Sequence, residues 1–263
     1  MTEFLYERIA AVLREQILSG ALSPGDRLPT QDALSTRYKV SRVVARQVVE
    51  LLETEGLVDR GKGAGTFVRE YRPLIRRSTL HYRPDPGTPY AEESVRAERV
   101  PRYTHHSHED GAGTEIARRL DVEPGDAVMV TEYVSYSDDE PTMIVTSYEP
   151  LEITRGTPIE HPEEGPLHGA GVVDRFTSIG RRPVRVVERL RSRMPRPTEA
   201  RRLHLRPGVP VIVIVRTTRT ADGPVETADL VLAADQFELE YPIQVGGHPA
   251  PDGRPGESEH AGA

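Results

Sequence analysis

Ala45, Val48, Val49 and Leu52 recur at helical spacing, while Arg42, Val43, Arg46 and Gln47 fall on the opposite side. The spacing predicts a helix from Arg42 to Glu55. Ser41 can accept a hydrogen bond from an orphan amide at its start, and Gly56 can end it in a left-handed conformation. A turn and a shorter helix precede it. Gly61, Gly63 and Gly65 then break a hairpin that carries Lys62, so 28–68 reads as two helices and a β wing.

From Tyr71 to Gly113 the periodicity is weak and Pro, Gly and charge are frequent, which predicts a linker at 71–113 with one strand near 75–82. Beyond it, Thr114 is expected to cap a short helix through Leu120. Pro124-Gly125 then turns into alternating runs at 127–136 and 141–149, the signature of a β-hairpin. A helix near 167–179, a strand at 184–194, a Pro-started helix at 198–205 and strands at 209–215, 225–233 and 236–245 complete an α+β domain with an antiparallel sheet. The last residues, 247–263, have almost no apolar side chains and are expected to stay disordered.

The chemistry of the first unit points to DNA. Arg42 and Arg46 sit one turn apart, and each planar fork can grip guanine or bridge two phosphates. Arg37 and Lys39 precede the helix, no acidic residue lies between Arg37 and Arg46, and Lys62-Gly63 at the wing tip can approach a groove. The plainer alternative, a solvated helix face, does not account for the coincidence of capped helix, wing and charge.

Tyr6, Pro24-Gly25, Leu28-Pro29-Thr30, Leu34, Val40-Ser41-Arg42, Arg46, Glu55-Gly56-Leu57 and Gly65-Thr66-Phe67-Val68 stand in one order and spacing. In them the chain resembles a GntR-family transcription regulator with a winged helix-turn-helix at 1–70. The resemblance implies DNA contacts from Ser41, Arg42, Arg46 and Lys62-Gly63, to which the outward positions Arg37, Lys39, Val43 and Gln47 are added. Asp32 departs from it, standing where the family usually places a phosphate-binding arginine, and Val44 and Ala64 depart as well.

The second unit, 114–246, resembles the UTRA effector-binding domain of the HutC subfamily, which has a chorismate-lyase-like fold. Ala117 to Leu120 with Pro124-Gly125, Ser147-Tyr148, Arg155-Gly156-Thr157-Pro158, Met194-Pro195 and Gly223 to Glu226 carry the match. Alternation alone places Glu188 on a face with Val184, Val186, Leu190 and Met194, and Glu226 on a face with Ala228, Leu230 and Leu232. Each reads either as an effector contact or as the partner of an arginine such as Arg189, Arg191 or Arg216. The resemblance adds Ser147 and Tyr148 and marks Tyr133 and Ser135, where phosphosugar-sensing members carry an Arg-x-Arg pair. Without those charges a phosphosugar is poorly matched, and a neutral or cationic polar effector is expected.

The net charge of −7 excludes broad nucleic-acid coating and requires any DNA surface to be a local basic patch. Cysteine is absent, so thiolate metal sites and disulfides are excluded. His105, His106, His108, Glu109 and Asp110 lie in the expected linker without fixed ligand geometry, so neither a metal nor another cofactor is expected. No run is apolar enough to span a membrane, and the chain is expected to be cytoplasmic. The combined expectation is a homodimeric repressor on palindromic operator DNA, released by a small-molecule effector. A regulator with a degenerate sensor, acting constitutively or under another protein's control, is the alternative. An enzyme built on the chorismate-lyase-like domain is a second, without a Ser-His-Asp spacing or phosphate loop to support it.

Overall fold

The computed structural model describes residues 4–61, 65–78, 81–82 and 89–243. The expected wing tip Lys62-Gly63 and the expected disordered tail lie outside the described residues.

Helices α1 (Leu5–Leu18), α2 (Gln31–Tyr38) and α3 (Arg42–Thr54) pack with the antiparallel pair β1 (Val58–Gly61) and β2 (Gly65–Val68). Ile9, Ala10, Leu13, Leu28, Leu34 and the predicted set Ala45, Val48, Val49 and Leu52 form one buried cluster. The Ser41 hydroxyl accepts from the Val44 amide at 3.3 Å, and Gly56 follows the helix with φ of 73°. α2 ends on Lys39 in the left-handed region at φ 51°, unusual for a residue with a Cβ.

The second unit is built on a six-stranded antiparallel sheet in the order β4-β5-β6-β9-β8-β7. Its strands are β4 (Pro101–Gly111), β5 (Ala127–Ser137), β6 (Glu140–Pro150), β7 (Arg185–Arg193), β8 (Val211–Arg219) and β9 (Pro224–Ala233). The β5–β6 hairpin turns through Asp138 and Asp139, both at positive φ (53° and 63°), the mirror-image turn that matches strand twist. On one face α5 (Thr114–Leu120) covers Val128 and Val130, and Leu203 packs on Ile144, Val211, Val213 and Val231. On the other, Met143, Ile214, Leu230 and Leu232 meet Leu74, Tyr90 and Phe237.

The expected linker is corrected. Residues 71–113 contain β3 (Leu74–Arg77), α4 (Pro89–Arg96) and the whole of β4. β3 pairs in parallel with β10 (Phe237–Glu240), so the connection from the first unit is stitched to the second by backbone hydrogen bonds. β4 pairs with β5 over its full length although its burial does not alternate cleanly. Its histidines lie on a regular edge strand, with the His106 and His108 rings 5.6 Å apart. Gly113 rather than Thr114 occupies the cap of α5, and the expected helix near 167–179 is shortened to α7 (Val172–Ser178). α6 (Leu151–Thr154) and α8 (Pro197–Arg202) are short.

The face of β7 also differs from expectation, because Val184, Leu190 and Met194 are exposed. Glu188 is nevertheless covered, by the Arg76 fork of β3 at both carboxylate oxygens and by Tyr82 and Tyr241. The side chains of Arg76 and Glu188 are 1% and 7% exposed, so neither ion has solvent as an alternative partner.

Two outcomes are expected in denaturant unfolding of the full chain. Leu52→Ala, which empties a fully buried site, lowers the stability of the first unit by about 2–5 kcal/mol. Arg76→Met strands a buried carboxylate and costs about 3–5 kcal/mol, whereas the double change with Glu188→Leu recovers most of that loss. Equal losses in the single and double variants would show that the pair is not what holds β3 in place.

Candidate functional site

The exposed side of α3 carries Arg42, Val43, Arg46 and Gln47, with Arg37 and Lys39 exposed just before it. The fold adds what the local sequence did not reveal, which is that carboxylates meet this surface from either side. Arg42 Nε lies 2.6 Å from Asp32 of α2, and Arg46 Nε lies 3.3 Å from Glu50 one turn on. All four side chains are about half exposed or more. Such pairs contribute little to stability and exchange readily for another anion. Val43, 58% exposed, offers an apolar surface beside them.

Arg27 belongs to this surface and was missed by sequence reasoning. Its guanidinium lies where a Cβ on Gly65 would stand, 2.7 Å from Nε, so glycine at the wing root leaves room for it. Arg27, Thr30, Asp32, Arg42, Gly65 and Thr66 line a cleft of about 320 Å³ between the two helices and the wing. An isolated antiparallel bridge to Phe67, two residues beyond Gly65, holds Arg27 there, a pairing that leaves no trace in local sequence spacing.

In the second unit, Tyr133, Ser135 and Ser147 come together with Tyr90, Tyr103, Glu163, Arg175 and Arg216 around a cavity of about 170 Å³ between the sheet and α7. Strand alternation explains the grouping. Ser147 pairs across β9 with Ala228 and thence with Arg216, and direct cross-strand partners share a face. Tyr148 therefore points to the opposite face, where it packs against the α5 cluster. Glu188 does not line the cavity either.

Glu226 lies beneath the cavity, fully buried and already satisfied. Its oxygens accept from Ser147 Oγ at 3.2 Å, Arg216 Nη2 at 2.6 Å and Thr218 Oγ1 at 2.8 Å. Of the arginines considered from sequence, Arg216 is its partner. Glu149 is buried in the same way and takes both nitrogens of the Arg175 fork from α7. Burial alone would lower both guanidinium pKa values, but Glu149 and Glu226 more than reverse this, and both stay above their ordinary value. Burial likewise pushes the Tyr133 and Tyr103 phenols up, Tyr103 to about 12 with help from Glu163, so both are neutral hydrogen-bonding groups.

A larger cavity of about 540 Å³ lies between the two units, lined by Asp59, Arg69, Arg206 and Asp235 among others. Two ion pairs cross it: Arg69 reaches Asp235 at 2.8 Å, and Arg206 pairs with Asp59. It is a seam between units, whereas the smaller cavity has converging aromatic, hydroxyl and charged groups of the kind that select a ligand. Among the described residues no cluster of His, Cys, Asp and Glu is placed to hold a metal ion, and no helix is long and apolar enough to cross a membrane.

Residues 5–68 match the family described as bacterial regulatory proteins, gntR family, and residues 96–238 match the UTRA domain. An uncharacterized HTH-type transcriptional regulator of Streptomyces coelicolor is 30% identical over 249 residues, covering 91% of this chain and 93% of its own. The histidine utilization repressor of Pseudomonas aeruginosa is 27% identical over 247 residues, 90% of either chain. Among solved structures, a GntR-family transcriptional regulator superposes with a TM-score of 0.66 at 39% identity, covering 92% of this chain and 98% of that one. The capped helix with its outward arginines, the wing and the cavity-bearing sheet thus have a common explanation: the chain belongs to the gntR family of bacterial transcriptional regulators, a DNA-binding head followed by a UTRA effector-binding domain.

Proposed function

We propose that the protein is a cytoplasmic homodimeric repressor that holds a palindromic operator through α3 and lets go when a small molecule enters the cavity between the sheet and α7. The observation that carries this reading is a DNA-reading surface joined through an ordered β3–β10 connection to a built, partly enclosed cavity. That cavity favours a working sensor over a degenerate one. Repression is supported by the histidine utilization repressor among the relatives.

On the operator, Arg42 and Arg46 exchange Asp32 and Glu50 for guanine edges or phosphates, and Val43 meets a thymine methyl. Ser41, Gln47, Arg37, Lys39 and the wing tip Lys62-Gly63 complete the contacts, with Arg27 added from the wing root. Because Asp32 stands against the DNA surface, backbone attraction is weaker than in a head with an arginine there, and specificity rests more on base contacts. A two-fold protein on two half-sites follows from operator symmetry. Tyr133, Ser135 and Ser147 contact the effector; Tyr148, Glu188 and Glu226 act at a distance from it, as packing and ion-pairing groups. Effector and operator oppose each other by equal factors, since each can shift affinity only by its preference for one arrangement of heads.

Footprinting on DNA upstream of the protein's own gene, at stated salt, tests the reading; a protected palindrome is expected, and only weak, salt-sensitive binding would count against it. On that site Arg46→Ala weakens binding by about 1–3 kcal/mol, with little change on unrelated duplex, if the residue reads a base. Equal losses on both duplexes, with a smaller salt slope, would reassign Arg46 to phosphate.

A further inference from the structure

The walls of the sensor cavity are short of one positive charge. Arg175 is paired with Glu149 and Arg216 with Glu226, and none of these side chains is more than 15% exposed. The Arg175 fork donates to both oxygens of Glu149, the bidentate geometry of a guanidinium–carboxylate pair, and opposes the upward pKa shift that burial imposes on Glu149. Glu163 is then a third carboxylate, with no arginine or lysine partner among the described residues. Its side chain is 7% exposed, and its Oε2 accepts from Tyr103 Oη at 3.0 Å and the Gly169 amide at 3.2 Å, both neutral donors.

Neither neighbouring histidine is a permanent cation. His168 Nδ1 lies 3.4 Å from Glu163 Oε2 and closer, at 3.0 Å, to the Glu163 carbonyl. Its ring is 62% exposed. Glu93 pairs with His81 at 2.6 Å, and burial lowers the His81 pKa, so this pair adds no fixed cation. A buried carboxylate left without a countercharge is costly, and a ligand is one way to complete it.

The rest of the lining suits a cation. Tyr90, Tyr103 and Tyr133 border the same space as Glu163, with the Tyr103 and Tyr133 rings 6.2 Å apart and tilted by 54°. Ring faces attract a cation within about 6 Å of the centroid. A phosphate would meet those faces and Glu163 with both arginines already engaged. Arg216 leaves its Nε buried without an acceptor, which one ligand oxygen can fill. The cavity of about 170 Å³ matches the liquid volume of roughly six waters at about 30 Å³ each, so the ligand is small.

The geometry points to a small organic monocation bearing a hydroxyl or carbonyl oxygen as the effector, with Glu163 as its countercharge and Tyr103 and Tyr133 against its cationic group. This rests on the cavity being the effector site and narrows that site to one charge class. The two glutamates singled out by alternation are matched by Arg76 and Arg216; Glu163, in a loop with no strand period, is the one left over.

Thermal unfolding of the full chain is measured with choline, ethanolamine and glycinamide, and with inorganic phosphate and glycerol 3-phosphate. At least one cation is expected to raise Tm saturably and to lose about tenfold or more in apparent affinity in Glu163→Gln, with no saturable effect of the phosphates. Three results would overturn the assignment: no shift with any of the three cations, undiminished cation binding by Glu163→Gln, or stabilisation by a phosphate. Ala170→Phe, which fills the cavity, separates the two levels. A phosphate response abolished by Ala170→Phe sinks the cation and leaves the effector site standing, whereas a response that survives it sinks both.

Discussion

The pairing of buried arginines with buried glutamates organises the second unit. Arg76 with Glu188, Arg175 with Glu149 and Arg216 with Glu226 are all largely withdrawn from water, and each pair joins separate elements. Arg76 fixes β3 over the edge strand β7, Arg175 fixes α7 over β6, and Arg216 ties β8 to β9. Such pairs add little net stability compared with apolar packing of the same volume, but a wrong arrangement leaves an ion stranded at several kcal/mol. They therefore choose among arrangements more than they strengthen any one. The cavity between sheet and α7 has the arginines of two of these pairs, Arg175 and Arg216, in its walls.

The legible parts of the molecule were those with local signals. Ser41, Gly56 and the period of Ala45, Val48, Val49 and Leu52 all lie within a few turns of α3, and its boundaries followed from them. The hairpin strands β5 and β6 alternate and meet in a two-residue turn, so they too were readable. β4 was not, because an edge strand of histidines and acids has no apolar period. Its conformation is conferred by eleven consecutive pairings with β5, made by backbone groups that every residue possesses.

The site was legible by face and illegible by partner. The resemblance marked Tyr133, Ser135 and Ser147, which share the cavity; alternation turned Glu188 and Glu226 inward, though neither lines it. It could not show that Arg76, 112 residues away, would cover Glu188, because a long-range ion pair leaves no trace in local spacing. The same blindness hid Asp32 from Arg42: the stretch free of acids in sequence is not free of them in space. Glu163 sits in an irregular segment between α6 and α7, where no periodicity assigns a direction to any side chain.

The remaining question is how a cavity in the sheet reaches the recognition helix, and the chain answers with one short segment. Arg216 lies on β8, which begins at Val211. The segment just before it carries Arg206, paired with Asp59 of β1, and Gly208, where an added Cβ would come within 3.1 Å of Thr54 at the end of α3. A displacement of β8 along its own axis is thus delivered to both the wing and the recognition helix without passing through a flexible linker. The second tie, Arg69 to Asp235, lies at the turn between β9 and β10. Two contacts of opposite polarity, one with the arginine on the sensor and one with it on the head, fix orientation as well as distance. In the proposed switch, a ligand beside Arg216 acts on the head through these strands, and its leverage is limited by how differently it binds the two arrangements.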